Sequence, residues 1–157
     1  MTQEPPLASD AATRGRILVV TGPSGAGKTT IAKSLLRDAR YGRARTATTR
    51  APRGTEQHGL DYDFLSPEAF AEGVARGEFL EHAEVYGRRY GSPRANVEAV
   101  VGSGRHCVLV VDVQGARTLQ DDNLQAYYVF VTAPDAGELR RLLEGRGEDD
   151  PAAIERR

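Results

Sequence analysis

The chain has 157 residues, of which 39% are hydrophobic and 27% charged, with a formal net charge of -1 and no tryptophan. That length suits one domain around one sizeable core, and the composition excludes a membrane-embedded or disordered chain. The near-neutral charge excludes a general nucleic-acid binder, which needs a broadly positive face. Residues 1–14, with Pro5, Pro6 and Ser9, have no apolar period and are expected to form a flexible tail. Ile17–Val20 is a short apolar run suited to a buried parallel strand, and Ile31, Leu35 and Leu36 recur at helical spacing further on. Between them lies Gly22-Pro23-Ser24-Gly25-Ala26-Gly27-Lys28-Thr29-Thr30, which fits G-x-x-x-x-G-K-[ST] in its required strand-loop-helix context. Several backbone N–H groups converge on a polyphosphate only where glycines remove the Cβ, and here those groups stand at the positive end of the next helix. Lys28 supplies a cation for the terminal phosphates and Thr29 a hydroxyl for the magnesium that accompanies a nucleoside triphosphate.

The helix after the loop is expected to reach about Arg40, with Tyr41–Arg45 as a polar link. Thr46–Arg53 is β-prone and is stopped by Pro52 and Gly54. Asp61–Phe64 alternates as a short, half-exposed strand. Ser66 and Pro67 read as the N-cap and first residue of a helix that runs through Phe70 and Val74 to about Arg76. Phe79–Val85 and Arg88–Tyr90 flank Gly87 as two strands joined by a turn, and Pro93 to about Gly102 is a helix closed by Gly102 and Gly104. Cys107–Asp112 is a buried strand whose final carboxylate stands at the sheet edge where open α/β folds bind ligands. Ala116–Leu119 is a short helix and Tyr127–Thr132 a further buried strand. Pro134–Leu143 is a helix leading into the charged Gly145–Asp150 segment, and Pro151–Arg157 begins another. Strands alternating with helices imply a mostly parallel sheet covered on both faces; residues 46–92 break the rhythm and read as an insertion.

Other residue types are less telling. Arg37, Arg40, Arg43, Arg45, Arg50 and Arg53 crowd one segment, either as a solvated face or as an anion site. The single Cys107 is expected to be a small buried hydrophobe, and without a second cysteine no intrachain disulfide forms. His58, His82 and His106 lack metal-ligand spacing and read as surface or loop residues. No apolar run approaches the length of a membrane helix and no signal-peptide core precedes the first strand, so a cytoplasmic location without a membrane partner is expected.

The pieces GPSGAGKTT, TTRAPRGTEQHGLDYDF, GEFLEHAEVYGRRYGS, VDVQG and EGRGEDD, in this order over residues 16–157, resemble guanylate kinase, the family that moves a phosphoryl group from ATP to GMP. The glycine loop alone marks only a phosphate-binding fold; the pieces in 46–92 carry the specific likeness. The resemblance implies an α/β P-loop NTPase fold with a parallel sheet covered by helices, formed by residues 15–45 and 93–157. It adds a small α+β GMP-binding insertion at 46–92 and a lid at about 140–157. The partners implied are ATP with magnesium and GMP, without nucleic acid, with monomer and homodimer both open.

Arg50 and Arg53 suit a dianionic phosphate as planar multidentate donors, and Tyr62 and Tyr90 add hydroxyls; the resemblance assigns these four to the acceptor phosphate. Guanine presents N1–H and the N2 amine, which a carboxylate accepts together, and Glu81 falls at the family's position for that carboxylate. Thr46 and Ser92 offer hydroxyls to the base and Asp112 closes the same side. Taken singly these residues have plainer readings: wall tyrosines, a surface acid at Glu81, a helix N-cap at Asp112. For catalysis the resemblance implies Lys28, Arg50, the lid's Arg146 and a later Arg157. Three departures stand out. Leu142 replaces a common arginine, with Arg141 one residue earlier; Val110 replaces a second acid; and the family's last core strand, adenine loop and closing helix are expected to be missing after Arg157. Two other functions share these features: a weak or non-catalytic guanylate-kinase-like module that binds GMP or protein, and a ribose bisphosphate kinase of the same fold. The intact glycine loop argues against the first, and Tyr62, Glu81 and Ser92 against the second.

Overall fold

The computed structural model describes residues 14–133 together with Asp135, Gly137, Glu138 and Arg141. In chain order the elements are β1 (Ile17–Thr21), α1 (Lys28–Leu35), β2 (Tyr41–Arg43), β3 (Ala47–Thr48), β4 (Asp63–Phe64), α2 (Pro67–Ala75), β5 (Phe79–Val85), β6 (Arg88–Pro93), α3 (Arg94–Gly102), β7 (His106–Val110), α4 (Val113–Asp121) and β8 (Ala126–Phe130). β1 lies inside a parallel sheet of order β2-β7-β1-β8. Its neighbouring residues face opposite ways. Val19 packs with Val97, Val101, Leu109, Ala116 and Leu119 on the α3 and α4 side, whereas Val20 packs with Val108 and Ala32 on the α1 side. A strand buried on both faces has to read as an unbroken apolar run, which is why Ile17–Val20 does. Cys107 is fully buried in β7, and burial pushes its thiol up to about 11.

The second sheet has the order β4-β3-β6-β5 and mixes parallel and antiparallel pairs. β5 and β6 form a hairpin across Tyr86 and Gly87, whose φ angles of 51° and 69° give the sign pattern that a type I′ turn requires. Helix α2 is held at its start by Ser66 Oγ, which accepts from Ala69 N (3.1 Å), with Pro67 opening the first turn. Its Phe70 stacks on Phe79 of β5 with ring centroids 4.6 Å apart. Helix α4 contacts both β1 and β5 and so joins the two sheets.

Several expectations need correction. Helix α1 stops at Leu35 rather than near Arg40. Asp38 takes over there: its carboxylate accepts from the Arg40 backbone N–H (2.9 Å) and guanidinium (2.7 Å), a local turn that competes with helix. Tyr41–Arg43 is a strand, not a link, paired in parallel with β7; a Cβ on Gly42 would lie 2.8 Å from Val100 Cγ1, so only glycine lets α3 approach. β7 ends at Val110, before Asp112, and α4 is longer than the four residues expected. β8 is not buried: among the described residues it is the edge of its sheet, and Tyr127, Val129 and Phe130 are exposed. His82 lies in β5 but is exposed, a surface residue as expected, whereas His106 is half-buried at the start of β7 rather than in a loop. The tail before Arg14, the 140–157 lid apart from Arg141, most of the Pro134–Leu143 helix and the Pro151–Arg157 helix lie outside the described residues. Among the described residues no helix is long and apolar enough to cross a membrane.

Candidate active site

The loop between β1 and α1 takes its shape from three left-handed glycines, Gly22, Gly25 and Gly27, with φ of 140°, 84° and 95°. At Gly22 a Cβ would sit 1.9 Å from the carbonyl oxygen of Val131, so that position combines a positive φ with direct backbone contact. Gly27 is the N-cap of α1 and offers no side-chain cap. A helix start without a side-chain cap is the kind of place where backbone N–H groups bind anions. Lys28 Nζ donates to the carbonyls of Gly22 (2.7 Å) and Pro23 (2.8 Å), folding the ammonium back over the loop. Thr29 and Thr30 are exposed in the first turn.

A second group of side chains forms on the β3-β6-β5 sheet. Glu81 of β5 stands directly across from Ser92 of β6, and Ser92 Oγ donates to Glu81 Oε1 at 2.6 Å. Both are buried, at 7% and 4% exposure, so Glu81 is not a surface acid. Burial raises the Glu81 carboxyl above the usual carboxylate range, the Ser92 hydroxyl pulls it back in part, and the charge of Asp112 adds to the rise. Asp112 caps α4, its Oδ1 accepting from Gly115 N at 2.7 Å. A Cβ on Gly115 would come within 2.9 Å of Glu81 Oε2 and 3.2 Å of Asp112 Oδ1, so this glycine lets the two acids share one corner. Asp112 is therefore a helix cap and a neighbour of Glu81 at once.

Arg50 follows β3 and is 9% exposed. Its Nη1 and Nη2 donate to the two carboxylate oxygens of Glu56 at 2.8 and 3.0 Å, and Nη1 donates also to the Ala51 carbonyl at 2.8 Å. The guanidinium carbon lies 5.3 Å from the ring centre of Tyr62 and 5.7 Å from that of Phe64. Hydrogen bonding to Glu56 raises the Arg50 pKa, with Tyr90 as a further side-chain contributor, and the same pair lowers Glu56 to about 2. Arg53 is exposed, and its backbone N–H donates to Glu56 at 2.8 Å. Thr46 precedes β3 and accepts from Asp63 N through its carbonyl (2.9 Å).

Arg50, Tyr62 and Tyr90 thus come together, as do Glu81, Ser92 and Asp112, and β1 and β7 are parallel neighbours, so the glycine loop and Asp112 share one edge of the sheet. Arg146 and Arg157 lie outside the described residues. Val110 is 39% exposed, and Arg141 pairs with Glu138 at 3.0 Å. The sequence reading gives no task to Glu56, Thr48 and Asn96, and counts Arg45 only within the arginine-rich segment, yet all four build these groups. Glu56 clamps Arg50; Thr48 donates to the Arg89 carbonyl (2.9 Å) and accepts from Arg50 N (3.2 Å); Asn96 donates to Asp63 and to the Arg45 carbonyl (2.7 and 2.8 Å); and Arg45 Nε pairs with Asp63 (2.5 Å).

Comparison with known proteins bears on the same features. The family model for guanylate kinase matches residues 14–157. A guanylate kinase of Alkalilimnicola ehrlichii is 42% identical over 144 residues, spanning 91% of this chain and 71% of that protein. One of Rubrobacter xylanophilus is 45% identical over 146 residues, spanning 92% of this chain and 76% of that protein. The crystal structure of guanylate kinase from Anaplasma phagocytophilum superimposes with a TM-score of 0.66 at 37% identity, covering 86% of this chain and 69% of that one.

Proposed function

This chain belongs to the guanylate kinase family, and from that premise we propose that it catalyses the ATP-dependent phosphorylation of GMP to GDP. The observation that carries the reading to these residues is the buried Glu81–Ser92 pair beside Asp112, at the sheet edge that also holds the glycine loop. In this reading residues 15–45 and 93–157 are the nucleotide core with a lid at about 140–157, and residues 46–92 are the acceptor insertion. Gly22 to Thr30 hold the ATP phosphates by backbone N–H groups, and Lys28 moves from the carbonyls of Gly22 and Pro23 to the transferring phosphate. Arg50, Arg53, Tyr62 and Tyr90 hold the GMP phosphate. Glu81 accepts from guanine N1–H and N2–H, with Thr46, Ser92 and Asp112 around the base.

Phosphoryl transfer passes through a loose transition state, so alignment of the two nucleotides and charge neutralisation carry most of the catalysis. Lys28 and Arg50 would do this from the described residues, and Arg146 and Arg157 from the lid side. A magnesium ion fits the donor set, because Thr29 is an exposed hydroxyl beside the loop and oxygen ligands are what that cation takes. When bound, the ion neutralises charge on the phosphate oxygens. The cytoplasm, where both substrates are at hand, is the proposed location.

The test is ADP formation measured with GMP, with AMP and with no acceptor. Adenine would turn an acceptor toward the Glu81 carboxylate, a mismatch worth a factor of about 10⁴, so turnover with AMP falls by roughly that factor and Glu81→Ala narrows the gap. Equal use of AMP and GMP by the unaltered chain would sink the proposal.

A further inference from the structure

The clamp on Arg50 has a directional consequence. A guanidinium has two edges on which paired N–H groups point the same way: the Nη1/Nη2 end and the Nε/Nη2 side. Glu56 takes the whole end, with bonds of 2.8 and 3.0 Å, and the Ala51 carbonyl takes the remaining Nη1 proton at 2.8 Å. Nε–H and the second Nη2 proton are what Glu56 and Ala51 leave, and the Tyr90 side chain is the one further hydrogen-bonding neighbour of the guanidinium among the described residues. Tyr62 and Phe64 stack against the guanidinium, at 5.3 and 5.7 Å, and keep it from swinging. Glu56 is itself fixed by the backbone N–H of Arg53 (2.8 Å), so one carboxylate ties the side chain of the first arginine to the main chain of the second.

We propose that Glu56 is a positioning residue for the acceptor phosphate: by occupying the end of the Arg50 guanidinium it turns the Nε/Nη2 edge toward the phosphate and sets Arg53 beside it. The inference rests on the reading of Arg50 as a phosphate ligand. Two effects of Glu56 oppose each other. Its negative charge repels the incoming dianion, while its hydrogen bonds hold the edge that receives it. Glu56 keeps 27% side-chain exposure against 9% for Arg50, so water and salt screen the repulsion. The orientation of a planar fork is not screened, because two parallel N–H···O contacts either align or fail. Geometry therefore outweighs charge, and removing Glu56 weakens phosphate binding even though it makes the site more positive.

The experiment compares GMP with guanosine, which lacks the phosphate, by calorimetric titration of the unaltered chain, Glu56→Gln and Glu56→Ala, with KM for ATP measured alongside. Glu56→Ala is expected to weaken GMP about tenfold, the equivalent of one lost charged-group hydrogen bond, with guanosine and KM for ATP held within about twofold. Glu56→Gln, which keeps one carbonyl acceptor, falls between. GMP binding that is unchanged or tighter in Glu56→Ala overturns the inference and makes the carboxylate a bystander or a competitor. Parallel loss of GMP and guanosine overturns it in favour of a structural role. If the unaltered chain binds GMP no tighter than guanosine, the phosphate reading of Arg50 falls first and takes this inference with it.

Discussion

At Glu81 the proposed role asks a buried acid to be ionised, which sets stability against function. Burial raises its pKa above 4.5, with the charge of Asp112 adding to the effect. In the proposed reading the ionised form accepts two guanine N–H groups, so guanosine affinity should fall on acidification, at a higher pH than an ordinary carboxylate would give. Guanosine is the better probe, since a phosphate's second ionisation near about pH 6 would obscure the titration. The sign for stability runs opposite. The folded state binds this proton more tightly than the unfolded state, so the ionised carboxylate destabilises the fold above the raised pKa, and the penalty vanishes below the unfolded value. Glu81→Gln should therefore raise Tm at pH 7 more than at pH 4 while abolishing discrimination between GMP and AMP; an equal Tm shift at both pH values contradicts this account. Glu56 behaves in the reverse way: lowered to about 2 by Arg50, it loses its pairing only as pH falls through that value. Glu81 was legible in the sequence through its motif. Glu56 was not, because a glutamate between two glycines of a polar loop has no pattern until Arg50 is seen against it.

Elements divide by how much of their identity is local. Strand β1, the loop and the start of α1 announce themselves, since an apolar run, three glycines and a lysine each answer a backbone or charge requirement. Gly22 carries the strictest one, with φ of 140° and the Val131 carbonyl 1.9 Å from where a Cβ would stand. Gly22→Ala adds backbone strain to overpacking and should cost about 3 kcal/mol or more, read as a lower urea midpoint together with weaker binding of an ATP analogue. An unchanged midpoint would mean that the loop relaxes freely. By contrast β2 was invisible: Tyr-Gly-Arg has no apolar alternation, and only the β7 edge makes three such residues a strand. β8 shows the converse. Its apolar run reads as buried, yet position at the sheet edge leaves half of it in solvent.

Across the whole molecule the apolar residues form separate clusters. The large one lies between the parallel sheet and helices α3 and α4, and a smaller one of Ala47, Phe70 and Phe79, with Leu65 and Val74, lies under the second sheet. Phe70 is fully buried, and its ring is close enough to Gly91 that a Cβ there would meet it at 3.1 Å; Gly91 sits between Tyr90 and Ser92 on β6. Phe70→Ala should cost about 3–5 kcal/mol and raise KM for GMP more than KM for ATP, since in the proposed reading the damage borders the acceptor side. Equal changes in the two constants would show that the clusters respond as one. The sequence by itself determined the strand-loop-helix unit around Gly22–Thr30, the α2 cap and the β5–β6 hairpin, because each depends on residues close together in the chain, and the alternation of strands and helices pointed to a parallel sheet. Only the tertiary structure decided that Glu56 grips Arg50, that Gly115 lets Asp112 and Glu81 share a corner, and that Asn96 ties Asp63 to Arg45. The Asp112–Glu81 and Asn96 contacts join residues on different segments, and the direction of all three depends on side-chain geometry that composition and periodicity do not encode.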